Sequence, residues 1–281
     1  MSLLIVGSLH LDVVLRAPHL PGLDETVTGS SVDYVFGGKG GNQTIAAARM
    51  GAHVHFAGRA GNDRFGDMIR ETLEASSAEL SQLQRDPGPS GMSAAIVNAD
   101  GDYGAVIVSA ANLHVIADQV VVPDGVSLVV LQNEIPQDVN LAVARKAKAA
   151  GAQVWLNAAP ARALPDGLVE AVDLLIVNRV EAEFYADLGP SIETLTTLGA
   201  DGVSFQGDHT PGYQVDVIST HGAGDMFVGA LAALVADGRD ISEAIGFAQA
   251  AAALHVASSL DARTAIRKDD VAAFMKAQAR R

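Results

Sequence analysis

An α/β fold with a mostly parallel central sheet is predicted by three features of this sequence. Short apolar runs recur along its first two thirds, helical spacing lies between them, and two insertions follow neither pattern. The runs at residues 3–6, 54–57, 128–131, 154–156 and 174–177 are bounded by polar residues or glycine, as strands buried on both faces are. Helical spacing occupies 45–50, closed by Gly51, then 68–75, then 139–150, closed by Gly151. The last third reads as helix at 224–236 before Gly238, at 241–258 and at 268–280.

The insertions have a β character of their own. Residues 13–35 alternate proline, glycine and threonine with apolar residues, as an edge ribbon does. Residues 92–108 form two apolar strands around Asn98-Ala99-Asp100-Gly101-Asp102, whose Asp-Gly pair signals a hairpin. Together they are expected to make a small β lid over the site. The expected organisation is therefore one domain over 1–281 with that lid, formed by approximately 13–35 and 92–108.

Composition narrows the function. Of 281 residues, 49% are hydrophobic and 19% charged, a globular balance. The net charge of −14 argues against nucleic acid as a partner, because a binder of phosphate backbone needs a basic surface. With no cysteine, the chain has no disulfides, thiolate metal sites or cysteine nucleophiles, which fits a reducing compartment. No leader-like segment precedes the first apolar run, and no stretch of about 18 apolar residues follows, so no membrane partner is expected and the expected location is the cytoplasm.

Gly222-Ala223-Gly224-Asp225 opens an apolar helical run. Small residues at a helix N-terminus expose N–H groups and the positive end of the dipole, so a phosphate can approach closely. Asp225 then stands beside the transferring group, placed to accept a proton from an attacking hydroxyl. Taken alone, the same residues also suit an aspartate that merely complements the dipole. A second motif, Phe36-Gly37-Gly38-Lys39-Gly40-Gly41-Asn42-Gln43, has neither Walker nor dinucleotide spacing, but its glycines allow close approach and Lys39 and Asn42 offer donors. His10 and Asp12 lie two apart after the first run, Glu134 follows the third, and Asn178 with Glu181 follows the fifth. Ligands bind beyond the carboxyl ends of parallel strands, where all of these stand.

These residues resemble the ribokinase or PfkB family of carbohydrate kinases over nearly the whole chain. The resemblance is carried by the 37–42 run with its following Ala-Ala-Ala-Arg, by 220–225, by Asn157-Ala158-Ala159-Pro160-Ala161 and by Phe247-Ala248-Gln249. It implies a ribokinase-like three-layer α/β/α sandwich with a β lid, and phosphoryl transfer from ATP with Mg²⁺ to a hydroxyl of a small sugar, ribose or a similar pentose favoured. By resemblance, Asp225 is the base and Gly222, Ala223 and Gly224 form the anion hole. His10, Asp12, Gly38, Lys39, Asn42 and Glu134 match sugar-binding positions, His10 standing where ribokinases have asparagine. Asn178, Thr197, Gly199, Gly202 and Gln249 match nucleotide-binding positions, and Glu181 matches a residue linked to Mg²⁺ and phosphate.

Two departures bear on cofactors. Ser219 stands where the family has an aspartate, and Leu260 with Asp261 stand where a glycine-containing loop helps enclose a monovalent cation, so that cation is expected to bind weakly. Residues 188–210 are shorter than in typical members, by a helix and much of a strand near the nucleotide. Alternatives left open are a nucleoside or ketohexose kinase of the same fold, and a sugar-binding protein with degenerate kinase activity. A homodimer through the lid is a further expectation, since a second copy would cover exposed strand edges.

Overall fold

The computed structural model describes residues 2–279. The chain begins with β1 (Ser2–Val6), β2 (His10–Arg16) and β3 (Ser31–Gly37), followed by α1 (Lys39–Arg49), β4 (His53–Gly61), α2 (Arg64–Glu74), β5 (Glu79–Asp86), β6 (Met92–Val97) and β7 (Tyr103–Val108). The middle runs through β8 (Val126–Gln132), α3 (Gln137–Ala149), β9 (Gln153–Asn157), α4 (Asp166–Ala171), β10 (Leu174–Asn178), α5 (Arg179–Phe184), β11 (Thr194–Thr197), β12 (Val203–Phe205) and β13 (Asp208–Thr210). Four helices close it: α6 (Ala223–Ala236), α7 (Ile241–Val256), α8 (Leu260–Ala265) and α9 (Lys268–Gln278).

One sheet has the order β13-β12-β11-β10-β9-β8-β1-β4-β5 and is parallel from β11 through to β5, with β12 and β13 antiparallel at one edge. β1 shows why the fold has three layers. All five of its residues are buried, and alternate side chains feed opposite cores. Leu3 and Ile5 join the core under α1, α2, α6 and α7, while Leu4 and Val6 join the core under α3 and α4. Burying each such side chain stabilises the fold by roughly 1.5–3 kcal/mol.

The second sheet, ordered β3-β2-β6-β7, takes strands from both insertions. β2 pairs with β3 antiparallel and with β6 in parallel, and β6 turns into β7 around Asn98, whose Oδ1 accepts from the Asp100 and Asp102 N–H groups.

Several expected boundaries move. The helix expected at 45–50 begins at Lys39, so Gly40 and Gly41 of the glycine run lie inside it, while Gly37 ends β3 and Gly38 is the N-cap. That run is tolerated because Gly40 packs on the backbone of Gly7, where an added Cβ would come within 2.6 Å of the Gly7 carbonyl carbon. β5 follows no expected run, since Glu79–Asp86 is a mostly polar strand at a sheet edge. Within the 13–35 insertion, residues 17–30 carry no strand. The helix expected to reach Ser258 ends at Val256, and Leu260 with Asp261 open α8 rather than a loop. Of the final helix expected to Arg280, Lys268–Gln278 is helical and Arg280 lies outside the described residues. Among the described residues, no helix is long and apolar enough to cross a membrane.

Candidate active site

The ends of β1, β8, β9 and β10 meet the starts of α1, α5 and α6, and this meeting point holds most of the residues singled out from the sequence. Gly222 caps α6 in the left-handed conformation, φ 77°, which glycine adopts at little cost. Ala223 and Gly224 follow as the first turn, whose N–H groups have no helical carbonyl to bond. Asp225 sits next in that turn and is 9% exposed. Its Oδ2 accepts from Asn42 Nδ2 at 3.1 Å and its Oδ1 from Gln43 Nε2 at 3.0 Å. Burial holds its carboxyl above the usual aspartate range, against the Lys39 ammonium and the hydrogen bonds from Gln43 and Asn42, while nearby Glu134 adds to the rise.

A chain of buried amides, unforeseen from the sequence, orients this carboxylate. Gln132 Nε2 donates to Gln43 Oε1 at 2.9 Å, and Gln43 Nε2 also donates to Asn157 Oδ1 at 3.0 Å. Gln132 and Asn157 end β8 and β9, and Gln43 lies on α1. Amides at the carboxyl ends of apolar runs were the available signal.

The expected sugar residues are divided: Lys39 lines the smaller cavity described below and Asn42 the wider one, while His10, Asp12, Gly38 and Glu134 line neither. His10, 5% exposed, opens β2 with a buried Nε2 that has no partner among the described residues. Asp12 follows two residues on, its Oδ1 accepting from Ser93 Oγ at 2.6 Å, and Gly37 leaves room for its carboxylate. Glu134 Oε2 accepts from Ser8 Oγ at 2.5 Å and from the Lys39 N–H at 2.9 Å, which ties the end of β8 to the start of α1. Gly38 packs against the backbone of Ser8, Leu9 and His10.

A cavity of about 150 Å³ adjoins Asp225, lined by Lys39, Asn178, Glu181, Thr197 and the Gly222–Ala223–Gly224 turn. Glu181 and Asn178 form a capping box on α5, so one Glu181 oxygen is committed to the Asn178 N–H. Gly199 and Gly202 frame a tight turn with φ 64° and 109°, and neither lines this cavity. Gln249 does not line it either; its Nε2 donates to the Thr210 carbonyl at 2.9 Å, and its Oε1 is buried without a partner among the described residues. A wider cavity of about 350 Å³ opens between β3, α1 and α8, and shares Gly222 and Asp225 with the first. Among the described residues, no group of three or more His, Asp or Glu side chains could hold a metal by itself. A Mg²⁺ carried on nucleotide phosphates fits that donor set, since it usually takes few protein ligands and keeps its waters.

A family profile described as pfkB family carbohydrate kinase matches residues 1–267. The chain belongs to this family. As a pfkB member it is a carbohydrate kinase, a phosphotransferase with an alcohol acceptor. It is 32% identical over 276 residues to the ribokinase of Bacillus subtilis, covering 92% of this chain and 93% of that one. To the ribokinase of Lactococcus lactis it is 33% identical over 269 residues, covering 90% and 89%. Its fold superposes on the ribokinase of Arabidopsis thaliana, solved with ribose and ATP, with a TM-score of 0.88 at 26% identity over 98% of both chains.

Proposed function

We propose that this pfkB kinase transfers the γ-phosphoryl group of ATP to a hydroxyl of ribose or a similar pentose, with Asp225 as general base. The observation that carries the reading is a buried carboxylate in the first turn of α6, directly after three small residues that line a cavity. The similarity to ribokinases supports ribose as the sugar.

The sugar lies against His10, Asp12, Gly38, Asn42 and Glu134, where the unpaired His10 Nε2 and the carboxylates take up its hydroxyls. ATP enters from the side of Asn178 and Thr197, and Lys39 reaches its phosphates. The sugar oxygen attacks the γ-phosphorus and the bond to the ADP oxygen breaks. The hydroxyl proton passes to Asp225, whose raised affinity for protons suits that role. The Gly222–Ala223–Gly224 turn receives the charge on the transferring group. Mg²⁺ carried on the nucleotide would neutralise phosphate charge, and Glu181 is the residue that would hold it.

The four-stranded sheet is the lid in this reading, and its exposed apolar residues Val32, Tyr34, Tyr103, Val106, Ile107 and Val108 favour a second copy of the chain as the partner that covers it. A coupled ADP-release assay with ATP and Mg²⁺, run across ribose, deoxyribose, fructose and nucleosides, tests the function. Ribose is expected to give the highest kcat/KM. Sugar binding by calorimetry with no ADP release from any acceptor would instead mark a sugar-binding protein.

A further inference from the structure

The turn that receives the phosphate has almost no side chains by which the fold can hold it. Gly222, Ala223 and Gly224 offer backbone alone, so the turn must be braced through its carbonyl oxygens or through the loop just before it. That loop is pinned on one side by backbone bonds, where the Ile218 and Ser219 N–H groups donate to the Val256 carbonyl at 2.8 and 3.2 Å.

On the other side stands Arg263 of α8, only 6% exposed. Its Nη2 donates to the Ser219 carbonyl at 2.6 Å, its Nη1 to the His221 carbonyl at 3.3 Å, and its Nε to the Ser258 carbonyl at 3.0 Å. Two of these oxygens lie within three residues of Gly222, and the third follows the carboxyl end of α7, where the helix dipole favours positive charge. Among the described residues, no carboxylate is hydrogen-bonded to the guanidinium. The arginine is itself held, because Arg49 of α1 donates to its carbonyl at 3.1 Å, and His255 Nε2 lies 2.9 Å from the same His221 oxygen. Three carbonyl oxygens converging on one buried point form an electrostatic seat for a cation, and here the chain fills it with a planar fork fixed to its own backbone.

We propose that Arg263 is a positioning residue for phosphoryl transfer: a built-in cation that locks the loop at Ser219 and His221, so that the turn at Gly222–Gly224 is preorganised without a free monovalent ion. The inference rests on the kinase reading above. It places the arginine one shell behind the reacting atoms, so its loss reduces kcat and leaves sugar affinity in place.

The test compares the wild type with Arg263→Ala and with Arg263→Met, a neutral variant that keeps the aliphatic stem. Both are expected to lose roughly 10- to 100-fold in kcat, the size of a lost set of charge-assisted hydrogen bonds, with calorimetric sugar affinity unchanged. In Arg263→Ala, n-propylguanidinium restores turnover saturably and raises the melting temperature more than in the wild type, whereas n-propylammonium at equal ionic strength does neither. Wild-type turnover is the same in potassium chloride and tetramethylammonium chloride. Wild-type kcat in Arg263→Met overturns the proposal. So does a loss in Arg263→Ala that n-propylguanidinium does not relieve, or a saturable potassium activation of the wild type. If the wild type releases no ADP with any sugar, the kinase reading fails, and the selective melting shift still decides whether a guanidinium braces this loop.

Discussion

Burial of Asp225 acts against folding and, in the proposed reaction, in favour of proton transfer. The folded-state pKa is raised, so between the usual aspartate value of about 3.9 and that raised value the native state binds more protons than the unfolded chain. Stability therefore falls as pH rises through this window, and the full penalty is present above the raised pKa. Asp225→Asn does not titrate. Thermal melts across pH are expected to show the wild type losing ground to this variant as pH increases, then levelling. Its kcat is expected to drop about 10²–10⁴-fold, as for loss of a general base, and the acid limb of the wild-type rate is expected above the usual aspartate pKa. Near-normal turnover by Asp225→Asn would move the base elsewhere.

At the scale of elements, the site depends on how closely α1 and α6 approach. A Cβ added at Gly229 would lie 2.5 Å from Ala46 Cβ and 2.6 Å from the Gln43 carbonyl, with backbone that cannot yield. Gly229→Ala is expected to destabilise the fold by about 1–3 kcal/mol, measured by urea unfolding, and to lower kcat by displacing Gln43 from Asp225. An unchanged midpoint and rate would mean the two helices separate freely. This pairing also marks what was legible in the sequence. The buried parallel strands were plain, because both of their faces are apolar and their runs are continuous, as in β1 and β8. Asp225 and the glycine run were plain as motifs. The start of α1 was hidden by glycines that a backbone contact with Gly7 makes tolerable, and β5 was hidden by edge polarity. Gln132 and Arg263 were illegible because their roles are made by partners distant in sequence. An amide after a strand, or an arginine in a short helix, has no local signature of the carboxylate network or carbonyl cluster it serves.

Over the whole molecule, the four-stranded sheet leaves a cluster of apolar residues exposed, among them Val32, Tyr34, Tyr103 and Val106. Every residue of β7 is exposed, and that strand is an open edge rich in valine and isoleucine. Sedimentation is expected to show a dimer at micromolar concentration, and the paired change Val106→Lys with Ile107→Glu is expected to give a monomer. A wild type that sediments as a monomer would remove the lid pairing.

The bond from Asn42 to Asp225 spans 183 residues of chain, and that from Ser8 to Glu134 spans 126. During synthesis β1 and α1 emerge early, yet the carboxylate they help enclose is added only with α6. An unfinished chain thus holds the amides of Asn42 and Gln43 open to water where the finished enzyme buries them against Asp225. Burial of the charge is deferred to the docking of the C-terminal helices, a late step over long loops, and fragments that end before α6 are left with an exposed apolar face for chaperones to cover.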